Sequence, residues 1–163
     1  TARYRTKVKL TDGGVYDNLG LETAWKRYQT VLVSDGGAPF KRRPRSARDW
    51  LRGTVRVLRV EDNQVRSLRK RQLIEAFQQH LRAGAYWGIA TEIAKYKLDD
   101  VLPCPPDRVE LLAEGVRTRL AKLDAGVQER LVNWGYAVCD AALRKYVDPA
   151  LLKGAFPYPD RRV

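Results

Sequence analysis

The order of apolar and polar side chains divides this chain into short β-like runs near its amino end and longer helical runs after them. From Arg3 to Thr11, basic or polar residues alternate with Tyr4, Val8 and Leu10, the period-two pattern of a strand with one buried face. Leu21 to Tyr28 reads as a short helix. Thr30 to Ser34 is a compact β-branched run that reads as a second strand. Both runs end in Asp-Gly-Gly, at Asp12-Gly13-Gly14 and Asp35-Gly36-Gly37, so a strand-to-loop corner with one carboxylate occurs twice with a helix between. That order predicts a βαβ unit with parallel strands and a right-handed crossover. The fold class expected is α/β.

Beyond the second corner, Ala38 to Gly53 holds two prolines and a crowd of arginines and reads as an exposed connection. From about Thr54 to Leu81 the apolar spacing turns helical. Val55, Leu58, Val65 and Leu68 lie near one face and Leu73, Phe77 and Leu81 near an adjoining one, so either the stripe rotates along one long helix or the helix breaks near Asp62-Asn63. An aromatic strand is expected at about Ala85 to Ile89, followed by a loop with Pro103, Pro105 and Pro106. A short helix to Glu114 is expected to be capped by Asp107. The last helix runs from about Asp124 to Tyr146, where Val127, Leu131, Trp134, Val138 and Ala142 recur at three- and four-residue spacing and Pro149 stops propagation. The tail around Pro157-Tyr158-Pro159 is expected to be irregular. No repeat longer than the doubled Asp-Gly-Gly is present.

Composition narrows the function classes. The 163 residues are 44% hydrophobic and 31% charged, ordinary for a soluble domain, but the net charge of +12 predicts attraction to a polyanion. Nucleic acid, an anionic membrane surface and an acidic partner all qualify. Cys104 and Cys139 stand far apart with no paired spacing, which gives no disulfide framework and favours a reducing compartment. With His80 the single histidine, a zinc site is short of ligands, and no metal is expected. No apolar run approaches the length that spans a bilayer, so a cytoplasmic or peripheral membrane protein is expected. Thr1 in place of methionine, with a strand following almost at once, suggests an excerpt of a longer protein.

The run Thr11-Asp12-Gly13-Gly14-Val15-Tyr16-Asp17-Asn18-Leu19-Gly20 resembles the DGG box of patatin-like phospholipases, most closely their bacterial branch. In that branch a strand ending in a second such corner follows, as in Val33-Ser34-Asp35-Gly36-Gly37-Ala38-Pro39-Phe40. Further echoes are Gln64 to Arg71, Tyr86-Trp87-Gly88-Ile89, Arg117-Thr118-Arg119-Leu120 and Asn133-Trp134-Gly135-Tyr136. The resemblance implies the carboxyl-terminal part of one lipid acyl hydrolase domain. Residues 1–37 would carry both corners, 38–53 a basic loop and 54–163 a mostly helical region. It implies no cofactor, and it makes Asp12 the general base that takes the proton of a nucleophilic serine. A glycine-flanked serine elbow and a glycine-rich oxyanion loop belong to the family pattern, and both are missing here: Ser34, Ser46 and Ser67 lack the elbow context. The serine is therefore expected upstream, and this segment alone should not turn over substrate.

Each feature has a plainer alternative. An aspartate before glycine commonly hydrogen-bonds its own loop, which is the rival role for Asp12. Asp17 and Asn18 are expected to brace the loop, and Asp35 to be structural. The basic stretch from Lys41 to Arg71 is read first as a solvated face and second as a contact for anionic phospholipid head groups. The alternative function is a non-catalytic basic module for nucleic acid or an acidic partner, although no nucleic-acid-binding signature is present. Trp87 and Trp134 are expected in the core, with Tyr86, and His80 at the surface.

Overall fold

A computed structural model describes residues 10–37, 49–116 and 121–163. A short helix, α1 (Gly14–Asp17), and α2 (Leu21–Arg27) lead into strand β1 (Thr30–Asp35). The long helix α3 (Trp50–Gln78) follows, then strand β2 (Ala83–Gly88), a single 3₁₀ turn (Ile93–Tyr96), α4 (Pro106–Gly115) and α5 (Ala125–Tyr146). The architecture is mixed α/β, mostly helical, around a two-stranded parallel sheet in which Leu32 pairs with Ala85 and Ser34 with Trp87.

The helix joining the parallel pair is α3, so the βαβ unit seen is β1-α3-β2 and not the one expected across Leu21 to Tyr28. Most of the strand expected at Arg3 to Thr11 lies outside the described residues, and Leu10 and Thr11 are not in a strand. Residues 38–48 and 117–120 are also outside, which takes in Ser46, five members of the basic stretch and the Arg117 to Leu120 echo.

Helix α3 begins at Trp50, earlier than its apolar spacing suggests, because the Asp49 carboxylate accepts the Arg52 N–H at 2.8 Å and caps it. It runs unbroken through Asp62-Asn63, so the expected break is absent, while Val55, Leu58, Val65 and Leu68 of the first apolar face stay exposed. Its buried residues, Leu73 and Ala76, lie toward its carboxyl-terminal end. The expected cap of α4 is corrected: Pro105 precedes it, Pro106 takes the first helical position, where a missing N–H costs nothing, and Asp107 makes no capping bond. Asp124 does cap α5, accepting from Gly126 N–H at 2.9 Å and Val127 N–H at 3.3 Å.

The two faces of the sheet feed two cores. Val31 and Val33 of β1 pack with Leu21 and Leu73, while Ala85 and Trp87 of β2 pack with Trp134, Ala137, Val138 and Ala141 of α5. Leu73 is fully buried, which is worth about 2–3 kcal/mol relative to exposure. Helix α5 lies over β2 and leaves the same face of β1 thinly covered, so Leu32 stays 50% exposed. The irregular tail is tied down. Asn133, with no exposed surface, donates to the carbonyls of Tyr158 at 2.9 Å and Arg161 at 2.7 Å and accepts the Tyr158 N–H at 3.0 Å.

Candidate functional site: two aspartate corners

Both Asp-Gly-Gly corners close by the same local bond. Asp12 Oδ1 accepts the N–H of Gly14 at 2.7 Å, and Asp35 Oδ1 accepts the N–H of Gly37 at 2.9 Å. An aspartate that bonds the backbone two residues on reproduces a turn with its own side chain. The second glycine is needed because of that closeness. A Cβ on Gly14 would lie 2.9 Å from Asn18 Oδ1 and 3.1 Å from Asp12 Oδ1. On Gly37 it would lie 2.1 Å from Arg66 Nη1 and 2.9 Å from Asp35 Oδ1. Positive φ is not the reason, since the left-handed glycine of this region is Gly20, before α2, while Gly13 is right-handed helical.

The corners then diverge. Asp12 is exposed, and among the described residues its Oδ2 has no hydrogen-bond partner. Asp35 is enclosed: Oδ2 accepts the Tyr86 hydroxyl at 2.7 Å, Arg66 Nε lies 3.9 Å away, and the side chain is 11% exposed. Burial first, and then this bond to Asp35, raise the Tyr86 phenol well above its ordinary range. Asp35 thus braces the second corner through both carboxylate oxygens.

Asp17 braces the loop from both sides. Its Oδ2 accepts the N–H of Glu22 at 2.8 Å, holding the start of α2, and its Oδ1 accepts Arg69 Nη1 at 3.2 Å from α3. Asn18 contributes by covering Gly14. Arg66 and Arg69 are therefore not a solvated face. From α3, Arg66 points at the corner carboxylate of Asp35 and Arg69 at Asp17 in the loop after the first corner, a correction to the reading of the basic stretch for these two residues. Arg66 and Arg69 lie in the Gln64 to Arg71 stretch and Tyr86 in the Tyr86 to Ile89 stretch, both echoes of the resembled family, but nothing in the sequence assigns any of the three a partner at the corners.

A groove of about 650 Å³ opens beside Asp12 between α1 and α3. Leu19, Leu58 and Val65 give it an apolar wall, and Glu61, Asp62 and Arg69 a polar one. Ser34 is exposed at the end of β1 and Ser67 is exposed on α3, and neither hydrogen-bonds to Asp12. His80 is exposed, in the turn that ends α3, with φ of 58°. Among the described residues no group of three His, Cys, Asp or Glu side chains could hold a metal ion, and no helix is long and apolar enough to cross a membrane. Comparison of the chain with protein-family models, with curated proteins and with solved structures finds no match.

Proposed function

We propose that this chain carries the acidic half of a Ser-Asp dyad in a patatin-like lipid acyl hydrolase, with Asp12 as general base and the serine and oxyanion donors supplied outside these 163 residues. The observation that carries the reading is the contrast between the two corners. Asp35 has both oxygens engaged, whereas Asp12 is held by one oxygen, has no partner among the described residues at the other, and lines a groove with one apolar wall. A base needs a fixed carboxylate with a lone pair to spare, and an acyl chain needs apolar walls such as Leu58 and Val65 provide.

In the proposed reaction the serine oxygen attacks the ester carbonyl while its proton passes to the open oxygen of Asp12. The tetrahedral intermediate expels the alcohol, which takes that proton. Water then attacks the acyl-serine, again giving a proton to Asp12, which returns it to the serine as the fatty acid leaves. The substrate class is a lipid or phospholipid ester. Exposed Arg52, Arg59 and Arg71, with exposed Trp50 and Leu51, suit an anionic membrane surface, where each basic residue contributes about 1 kcal/mol.

The test is hydrolysis of a soluble ester by the full-length parent protein. Asp12→Asn should lower kcat by about a hundredfold or more with an unchanged fold by circular dichroism, while Asp35→Asn should lower the melting temperature and keep turnover. An Asp12→Asn protein that hydrolyses the ester at the parental rate would remove Asp12 from the chemistry.

A further inference from the structure

We propose that Arg69 is the positioning residue of the first corner: from α3 it holds Asp17, and through Asp17 the turn that aims Asp12. The proposal rests on the reading of Asp12 as general base. Residues 12–17 form one small body. Val15 donates its N–H to Asp12 O at 3.1 Å, Tyr16 and Asp17 donate theirs to Gly13 O at 3.0 Å, and Asp12 Oδ1 closes the turn on the Gly14 N–H at 2.7 Å. Helix α1 inside it has four residues and buries none of them. One turn of helix does not hold itself in place, since isolated helices shorter than about 12 residues are marginal in water. Its position is set by what its ends are tied to.

The carboxyl end carries the ties. Asp17, with its side chain 10% exposed, accepts the Glu22 N–H of α2 at 2.8 Å with Oδ2 and Arg69 Nη1 of α3 at 3.2 Å with Oδ1, so one carboxylate joins the turn to both helices. Leu19, just beyond it, packs against the core of Leu21, Val31, Val33 and Leu73. That contact and the Glu22 bond hold the turn to the elements that follow it in sequence, and Arg69 holds it to α3, fifty-two residues on. Helix α3 is itself a fixed reference. Arg66, about one turn before Arg69, lies 3.9 Å from Asp35, which Tyr86 holds from β2 at 2.7 Å, and Leu73, about one turn after it, is buried. The contacts therefore run from the sheet to α3, from α3 to Asp17 and from Asp17 to Asp12. Releasing Arg69 leaves Asp12 its local bond to Gly14 but lets the whole turn tilt against the groove that Asp12 and Arg69 both line. A general base acts over heavy-atom distances of about 2.6–3.2 Å, so misplacement by about 1 Å is felt in the chemical step rather than in binding.

The probe is p-nitrophenyl butyrate, hydrolysed by the full-length parent protein, with Arg69→Gln as the first variant because it keeps part of the stem and removes the charge. Expected is a kcat about tenfold or more below the parent with KM unchanged. Arg69→Lys, which restores a charge without the fork of donors, should recover part of the loss, and Asp17→Asn combined with Arg69→Gln should lose no more than the worse single variant. The Asp12→Asn background separates positioning from stability. A residue that acts only through Asp12 has nothing left to position there, so adding Arg69→Gln should leave the residual turnover unchanged, whereas a general loosening of the fold would lower both backgrounds alike. Should Arg69→Gln fail to fold, Asp17→Asn severs the same tie from the other side and is read by the same criteria. Parental kcat in the variant, a raised KM at unchanged kcat, or an equal fractional loss on Asp12→Asn would each overturn the positioning role while leaving Asp12 as base. Parental turnover by Asp12→Asn itself would instead remove the base, and this proposal with it.

Discussion

The Tyr86 hydroxyl on β2 reaches two residues forward of its pairing partner Val33 to donate to Asp35 at the end of β1, at 2.7 Å. This diagonal bond ties the second Asp-Gly-Gly corner to the neighbouring strand. Lys70 sits over the same ring, 4.4 Å from its centroid, so one aromatic joins both strands to α3. Tyr86→Phe keeps the ring and removes only the donor. It should cost about 1–2 kcal/mol in urea unfolding, as expected for a hydrogen bond to a charged, largely buried group. Tyr86→Phe combined with Asp35→Asn should be clearly less than additive, because the two share one interaction.

Two glycines separate backbone constraint from side-chain crowding. Gly84 has φ of 141° and faces the Val31 carbonyl, which is backbone and cannot move aside without parting the strands. Gly84→Ala should therefore cost more than about 3 kcal/mol, the range reserved for severe overpacking combined with strain. At Gly37 the nearest atom is the far end of the Arg66 side chain, which can rotate away, so Gly37→Ala should cost about 1 kcal/mol and break the Arg66–Asp35 pair. Thermal melts of the two variants should differ accordingly. Equal losses would show that the β1–β2 spacing at Val31 is not the constraint.

The tail depends on Asn133. Asn133→Ala leaves two carbonyls and one N–H of the tail without their partner and opens a void beside Trp134. The expected cost is about 3 kcal/mol, by summing three modest hydrogen bonds. Limited proteolysis should then cut after Lys153, Arg161 or Arg162 in the variant at protease levels that spare the parent chain. Because Val163 packs into the α5 core, the loss of the tail should also increase exposure of that core to a hydrophobic dye.

Much of this was legible in the sequence. Helix α5 was recognisable because its apolar spacing and the stop at Pro149 agree, and Thr30 to Ser34 because a β-branched run ended in a turn signal. Local rules failed where a long-range partner decides. Asp107 has capping chemistry, but Pro105-Pro106 sets the start of α4 first. The 3₁₀ turn at Ile93–Tyr96 carries no periodic signal, and it exists because Tyr96 is buried in the α5 core, edge-on to Tyr146 at 5.8 Å. At the corners, the Asx bonds of Asp12 and Asp35 follow from local sequence alone. What distinguishes the two does not, since it rests on Tyr86, fifty-one residues beyond Asp35.

Arg144 gives the chain a defined acid sensitivity. It is 7% exposed at its side chain, donates from Nη1 to Asp100 Oδ1 and from Nε to Asp140 Oδ2 at 3.0 Å, and reaches the Asp100 carbonyl with Nη2 at 3.1 Å. Arg144→Ala strands the Asp140 carboxylate, whose other oxygen accepts the Gly154 N–H at 3.0 Å, and should cost about 3 kcal/mol. Arg144→Lys keeps a charge but not the fork of donors, and should recover only part of the loss. The hydrogen bond from Arg144 holds the Asp100 carboxyl below its ordinary value of 3.8. A depressed carboxylate stabilises the fold fully above its unfolded value, and that contribution disappears as pH falls through the lower folded value. Unfolding free energy should therefore fall as pH drops below about 4, and Arg144→Ala should flatten that limb while lowering the neutral plateau. An acid limb of the same slope in Arg144→Ala would assign the sensitivity elsewhere, with Glu22 the next candidate because Lys26 likewise holds its carboxyl low.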